Sequence, residues 1–225
     1  QIRAGTFHSV SNLLLKSLGK GVILKQPSEL KTLLKSITDR RQFHRISDTK
    51  GYSGAYLYDI YSLFCNSCVN NESFEDWFAL NYPDQAEFAA IYDDILREFE
   101  ETKVQFNYAD FNDLLIKMRN ELKNGSAICF DEILVDEYQD TNSLQGSLID
   151  AFNTKSLFCV GDFDQSIYAF NGANIEIIGS FKERYIGANI YSLNINYRSS
   201  AKILALANKV IANNPRLYPK SLEVS

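Results

Sequence analysis

The chain reads as an α/β protein in which a long helical stretch comes ahead of a parallel sheet, and three observations support that reading. From about residue 127 the pattern runs strand, helix, strand, helix, strand, the order in which crossover helices join parallel strands. Two short apolar runs, Ile133-Leu134-Val135 and Ser156-Leu-Phe-Cys-Val160, open directly into acid-bearing segments, as buried parallel strands do where their carboxyl ends line a cleft. Ahead of them, residues 9 to 105 carry apolar residues at helical spacing.

In chain order, Ile2 to Phe7 predicts a strand end. Leu13, Leu14, Leu15 and Leu18 then recur at helical spacing, as do Leu30, Leu33, Leu34 and Ile37. The Gly51-Tyr-Ser-Gly54 cluster marks an internal loop. Pro83 opens a helix whose Phe88, Ile91, Tyr92, Ile95 and Phe99 form one apolar stripe. These aromatics, with the single tryptophan Trp77, are expected in the core. Gly125 stops the helix carrying Leu114, Leu115 and Met118, and a last helix is expected over 199 to 213 along Ile203, Leu204, Ala207, Val210 and Ile211. There is no internal repeat or low-complexity tract.

With 225 residues, 45% of them hydrophobic, the chain can bury the core of one large or two small domains. It has no apolar run of about 18 residues and no basic-plus-apolar leader, which argues against a membrane partner and makes the cytoplasm the expected location. Of four cysteines, Cys129 and Cys159 sit in strand-like runs as small buried thiols. Cys65 and Cys68 form a lone pair without the further ligands a structural zinc needs. The net charge of −5 hides a division: residues 1 to 45 hold nine Lys/Arg against two acids, and residues 72 to 101 hold ten acids against one Arg. The first stretch can offer phosphate a basic face while the second faces away, or both can be solvated helix faces.

The chemistry concentrates in three blocks. The Asp136–Glu137 pair sets a carboxylate suited to a hard cation beside one that can activate water. Gly161-Asp-Phe-Asp-Gln-Ser-Ile-Tyr-Ala-Phe170 follows the second apolar run, and Asn196-Tyr-Arg-Ser-Ser200 comes after it. Read as DEYQDTN, GDFDQSIYAF and NYRSS, these blocks resemble, in order and spacing, motifs II, III and IV of the UvrD/Rep-type superfamily 1 DNA helicases. Gly5-Thr-Phe-His-Ser9 is similar to motif Ib, and Asp110-Phe-Asn-Asp-Leu-Leu115 to the family's entry into the helix before motif II.

The resemblance implies a partial RecA-like P-loop NTPase parallel sheet with an inserted helical subdomain. Residues 1–8 would belong to the first RecA-like lobe, 9–105 to the helical insertion, 106–190 to the return into the first lobe, and 191–225 to the start of the second. It implies ATP and Mg²⁺ as cofactors and single-stranded and duplex DNA as partners, with 3′ to 5′ translocation driven by ATP hydrolysis. On this basis Asp136 holds Mg²⁺ directly or through water, beside Glu137, which orients and deprotonates the attacking water. Gln165 senses the γ-phosphate, and Gln139 and Asp140 brace motif III. Tyr197 stacks on adenine, and Arg198 reaches the γ-phosphate with a permanent, bidentate charge. Thr6 and His8 contact the DNA backbone, while Tyr168 and Phe170 stack on bases. The family commonly has tryptophan at Phe170 and arginine at Asn171, departures that bear on DNA affinity.

The phosphate-cradling G-x-x-x-x-G-K-[ST] loop does not occur in the chain, nor do motifs Ia, V and VI. The chain is therefore expected to begin and end inside a longer helicase and to turn over no ATP by itself. Two other readings share parts of the pattern: a RecB/AddA-type helicase–nuclease subunit and a non-catalytic nucleic-acid-binding relative. Asp164 before Gln165 favours the UvrD/Rep side over the first, and retention of Asp136, Glu137, Gln165 and Arg198 argues against the second.

Overall fold

The computed structural model describes residues 2–41, 53–67, 72–167, 173–214 and 222–224. It separates into two compact units, one of Gln1–Ile133 with Asn142–Leu157 and one of Leu134–Thr141 with Phe158–Ser225.

The first unit is mostly helical. Helix α1 (Phe7–Ser17) begins where the Thr6 hydroxyl accepts the Ser9 N–H at 3.3 Å. The expected strand over Ile2 to Phe7 is not formed: Ile2 is exposed and Phe7 already opens the helix. A strand end needs a ladder partner, whereas Thr6 and the Phe7, Val10, Leu14 spacing specify a capped helix locally. Helix α2 (Pro27–Arg40) starts on Pro27, with Gln26 N–H donating to Glu29 at 2.8 Å. Helices α3 (Gly54–Ser67), α4 (Phe74–Asn81) and α5 (Ala89–Gln105) enclose with it a core of Leu34, Ile37, Leu57, Phe78, Ile95 and Phe99. Trp77 is buried there, as expected, and Phe78 stacks on Tyr82 and meets Tyr92 edge-on at 5.1 Å. A 3₁₀ turn over Pro83–Phe88 leads into α5.

Strand β1 (Ile23–Leu24) pairs in parallel with β2 (Tyr108–Ala109). Helix α6 (Phe111–Lys123) then runs to Asn124 and Gly125, whose φ of +86° ends it. It packs on α1 and α7 (Ser143–Ala151) through a second core of Leu14, Leu15, Leu114, Leu115, Met118 and Leu144. Cys65 is buried, Cys68 lies outside the described residues, and Cys129 is exposed rather than buried because it opens its strand at the edge of this unit's core.

At one point the basic and acidic stretches meet. Arg40 and Arg41, closing α2, pair with Glu98 of α5 at 2.6 and 2.5 Å, and Arg41 also reaches Asp94. Part of the acidic stretch is thus answered by the end of the basic one, cations at a helix carboxyl end meeting acids on the neighbouring helix. Deeper in, Lys103 of α5 is 1% exposed, 2.6 Å from Glu100 and 2.9 Å from Asp113, with the rings of Phe99 and Tyr61 beside it. Asp110 caps α6 by accepting the Asp113 N–H at 2.8 Å, and its other carboxylate oxygen is buried without a hydrogen-bond partner among the described residues. Among the described residues no helix is long and apolar enough to cross a membrane.

The second unit holds the ends of β3 (Cys129–Val135) and β4 (Asn153–Cys159). These pair with each other, and their direction is parallel: Thr154 bonds Asp131 early in the strands, and Val160 N–H donates to Val135 at their ends. Helices α8 (Ile175–Gly179) and α9 (Phe181–Arg184), the short parallel pair β5 (Ile195–Asn196) and β6 (Glu223–Val224), and α10 (Ala201–Ile211) complete it. Leu134 and Phe158 are more than half exposed, against the expectation of strands buried on both faces. Among the described residues β3 and β4 have only each other as strand neighbours.

Two stability effects follow from the buried ion cluster. Burial, then the adjoining Asp113 charge, lifts the Asp110 carboxyl to about 6, so the folded chain holds this proton more tightly than the unfolded chain. The stabilisation is full below the ordinary carboxylate range and fades as pH rises through about 6. Asp110→Asn keeps a good cap and is expected to flatten the stability slope between about pH 4 and 6 in urea unfolding. Lys103→Met strands Asp113 and Glu100 and is expected to cost about 3–5 kcal/mol. Unfolding midpoints unchanged in both variants would deny the cluster this role.

Candidate functional site

The site grows out of the carboxyl ends of β3 and β4. Val160 N–H donates to the Val135 carbonyl at 2.8 Å, and Tyr138 N–H donates to the Val160 carbonyl at 2.8 Å. The chain between, Asp136 and Glu137, bulges out of the ladder. Glu137 takes a left-handed backbone at φ 49°, ψ 44°, and a 3₁₀ turn over Tyr138–Asp140 follows. That conformation is uncommon for a side-chain-bearing residue and clusters at functional sites. Tyr138 is buried against the edge of Phe181, with Ile177 also buried in this unit, so the turn is anchored from below while Asp136 and Glu137 stay exposed.

After β4, Gly161 and Asp162 lead into a 3₁₀ turn over Phe163–Gln165. Gln165 Nε2 donates to the Asp162 carboxylate at 2.7 Å, and the same carboxylate accepts the Asp164 N–H at 3.1 Å. One side chain joins the two turns. Gln139, 2% exposed, donates from Nε2 to Glu137 Oε2 at 2.8 Å, while its Oε1 accepts the Asp162 N–H at 3.0 Å. Ser166 adds a hydroxyl bond to the Gln139 carbonyl at 3.4 Å. The bracing expected of Gln139 is therefore present in the geometry. Asp140 is half-buried with its Oδ1 unpartnered among the described residues, and burial together with the Glu137 charge raises its pKa.

Of the residues singled out from the sequence, Asp136, Glu137 and Gln165 come together at neighbouring strand ends, the last two linked through Gln139 and Asp162. Tyr197 and Arg198 follow β5, exposed, on a turn in which Asn196 Oδ1 accepts the N–H groups of Arg198 at 3.0 Å and Ser199 at 2.8 Å. Among the described residues no hydrogen bond or ion pair joins Arg198 to Glu137 or Gln165. In the other unit, Thr6 caps α1, and His8 lies half-buried, edge-on to Phe111 at 5.3 Å, its pKa lowered by burial. Tyr168 and Phe170 lie outside the described residues.

A hard divalent cation with phosphate ligands asks the protein for only one or two carboxylates, and exposed Asp136 beside Glu137 fits that demand. Among the described residues no group of three or more His, Cys, Asp or Glu side chains converges as a self-sufficient metal cage.

Residues 1–186 match the family model of the UvrD/REP helicase N-terminal domain. The chain belongs to the UvrD/REP helicase family. A probable DNA helicase II homolog of Rickettsia conorii is 34% identical across 98% of this chain, and one of Mycoplasma capricolum is 44% identical over 56% of it. The ATP-dependent DNA helicase PcrA of Staphylococcus aureus is 44% identical over 50%. The aligned regions span 35%, 18% and 17% of those three proteins, so the chain matches well under half the length of each of these relatives.

What sequence patterning left unweighted at this site is Gly161. A Cβ there would stand 2.9 Å from Gln139 Oε1 and 3.2 Å from its backbone N, so a residue with no side chain is what lets the two turns close on each other. Gly161→Ala is expected to cost about 1–3 kcal/mol by overpacking, measured by urea unfolding. A variant of undiminished stability would show that the Gln139 amide can move aside freely.

Proposed function

We propose that this chain is part of an ATP-dependent DNA helicase that unwinds duplex DNA by moving 3′ to 5′ on a single strand. The observation that carries the reading is the placement of Asp136, Glu137 and Gln165 at adjoining carboxyl ends of parallel strands, the place where open α/β sheets take their ligands, in a chain of the UvrD/REP family. Residues 1–8 and 106–190 are assigned to a first RecA-like lobe, 9–105 to a helical insertion and 191–225 to the start of a second lobe.

In this reading Mg²⁺, when bound with ATP, supplies charge neutralisation on the phosphates. Asp136 is the carboxylate that holds it, directly or through a water. Glu137 accepts the proton of the attacking water, its carboxylate held by the Gln139 amide. Gln165 places its amide where it can exchange the Asp162 carboxylate for a phosphate oxygen or the water. Arg198 brings permanent positive charge to the γ-phosphate, and Tyr197 offers its exposed ring to the adenine. On the DNA side, Thr6 and His8 meet the strand backbone, and Tyr168 and Phe170 stack on bases.

The chain by itself is expected to show no DNA-stimulated ATP hydrolysis, since it holds no G-x-x-x-x-G-K-[ST] loop. Turnover above background that vanished in Glu137→Gln would count against that. In the complete parent protein, Arg198→Ala should lower ATPase kcat by on the order of 10³-fold or more, as loss of a charged finger does in phosphoryl transfer. Phe170→Ala should instead weaken single-stranded DNA binding by about 1–3 kcal/mol with basal ATPase kept. ATPase assays with and without single-stranded DNA separate the two, and identical defects would reject the division of labour.

A further inference from the structure

We propose that Gln139 is a positioning residue that sets the Glu137 carboxylate and the Asp162–Gln165 turn as one body, so that a shift of either turn displaces the other. The inference deepens the reading of Glu137 as the group that activates water and rests on it. Three observations carry it. The Gln139 side chain is 2% exposed, so its amide is held by protein rather than by bulk water. Its two ends face groups of opposite demand: a carboxylate that can only accept, at 2.8 Å, and a backbone N–H that can only donate, at 3.0 Å. The amide has a single orientation that satisfies both. Finally, Gly161 removes the Cβ that would strike the amide oxygen, so the contact is built into both strands' ends.

The chemistry of an amide is specific here. The Nε2 group has two hydrogens, and it faces two carboxylates, Glu137 closely and Asp140 Oδ2 at 3.5 Å. The charged groups around it are thus Glu137 and Asp140 from its own turn, Asp136 just before them, and Asp162 from the turn after β4. A carboxylate at position 139 would keep the acceptor for the Asp162 N–H and lose the donor to Glu137. A leucine would lose both. The two substitutions therefore separate the tie to Asp162 from the hold on Glu137.

The experiment uses the complete parent protein with Gln139→Leu and Gln139→Glu. It reads single-strand-stimulated ATPase kcat and KM from pH 6 to 8.5, and amide hydrogen exchange in the segments covering 136–140 and 161–166. Gln139→Leu is expected to speed exchange in both segments and to lower kcat by about 10- to 100-fold through misplacement of the base, with KM for ATP within about twofold. Gln139→Glu is expected to keep exchange at 161–166 near that of the wild-type protein. Its kcat falls at pH 8 and recovers partly toward pH 6, as the introduced carboxyl regains a proton to donate. Unchanged exchange at 161–166 in Gln139→Leu overturns the tie. A wild-type pH profile in Gln139→Glu, or variants whose only change is a lower melting temperature, overturns the positioning role. Should Glu137→Gln keep wild-type turnover while the exchange coupling holds, the tie stands and the water-activation reading falls.

Discussion

The site depends on two backbone hydrogen bonds, Val160 N–H to Val135 and Tyr138 N–H to Val160. A regular parallel ladder would place consecutive residues of β3 alternately up and down. Here the ladder skips Asp136 and Glu137, and the left-handed backbone at Glu137 turns both carboxylates outward before the chain re-engages at Tyr138. Burial of Tyr138 against Phe181 keeps that re-engagement from slipping. Without these bonds neither the Gln139 amide nor the Asp162 turn would be in register.

Charge is handled by a different rule in the helical unit. There the acids and bases meet one another: Arg40 and Arg41 on α2 answer Glu98 and Asp94 on α5, and Lys103 is sealed among Glu100, Asp113 and two rings. A buried ammonium of this kind adds little net stability against an apolar replacement of the whole cluster, but removing one member is costly. It fixes where α5, α6 and α3 meet, because Tyr61 of α3 donates to Glu100 and Asp113 closes the cap of α6. At the strand ends, among the described residues, no ion pair is formed by Asp136 or Glu137. Asp136 and Glu137 remain exposed, and Asp140 is left with an unsatisfied oxygen. The helical unit thus neutralises these charges within itself, whereas the Asp136 and Glu137 carboxylates at the strand ends stay open to solvent.

Which parts of this were legible in the sequence follows from the range of each signal. Local ones were: the Gly125 stop of α6, a helical start at Pro83 that proves to be a 3₁₀ turn before α5, the apolar stripes of α1 and α2, and the two runs that become β3 and β4. Pairings across long separations were not. The β1–β2 pair joins Ile23 to Tyr108 through two-residue strands that carry no periodicity of their own. The Arg41–Asp94 and Arg40–Glu98 contacts turn on how α2 and α5 pack, which composition alone does not carry. Ile2 to Phe7 showed strand propensity that had no ladder to join. At the site, the motif residues were legible by type and order, whereas the role of Gly161 emerges only once the β4 end lies against Gln139.

The strained backbone at Glu137 makes the same point from energetics. Holding a residue with a Cβ in the left-handed region costs about 1–2 kcal/mol, and glycine would adopt it without that cost. A carboxylate there serves no packing purpose, since Glu137 is exposed and its neighbours Asp136 and Asp140 add like charge. The fold instead offsets the strain with the Asp136 Oδ1 bond to the Glu137 N–H at 2.9 Å and the Gln139 bond to its carboxylate. The left-handed residue is thus held at its backbone by Asp136 and at its carboxylate by the Gln139 amide, one bond on each.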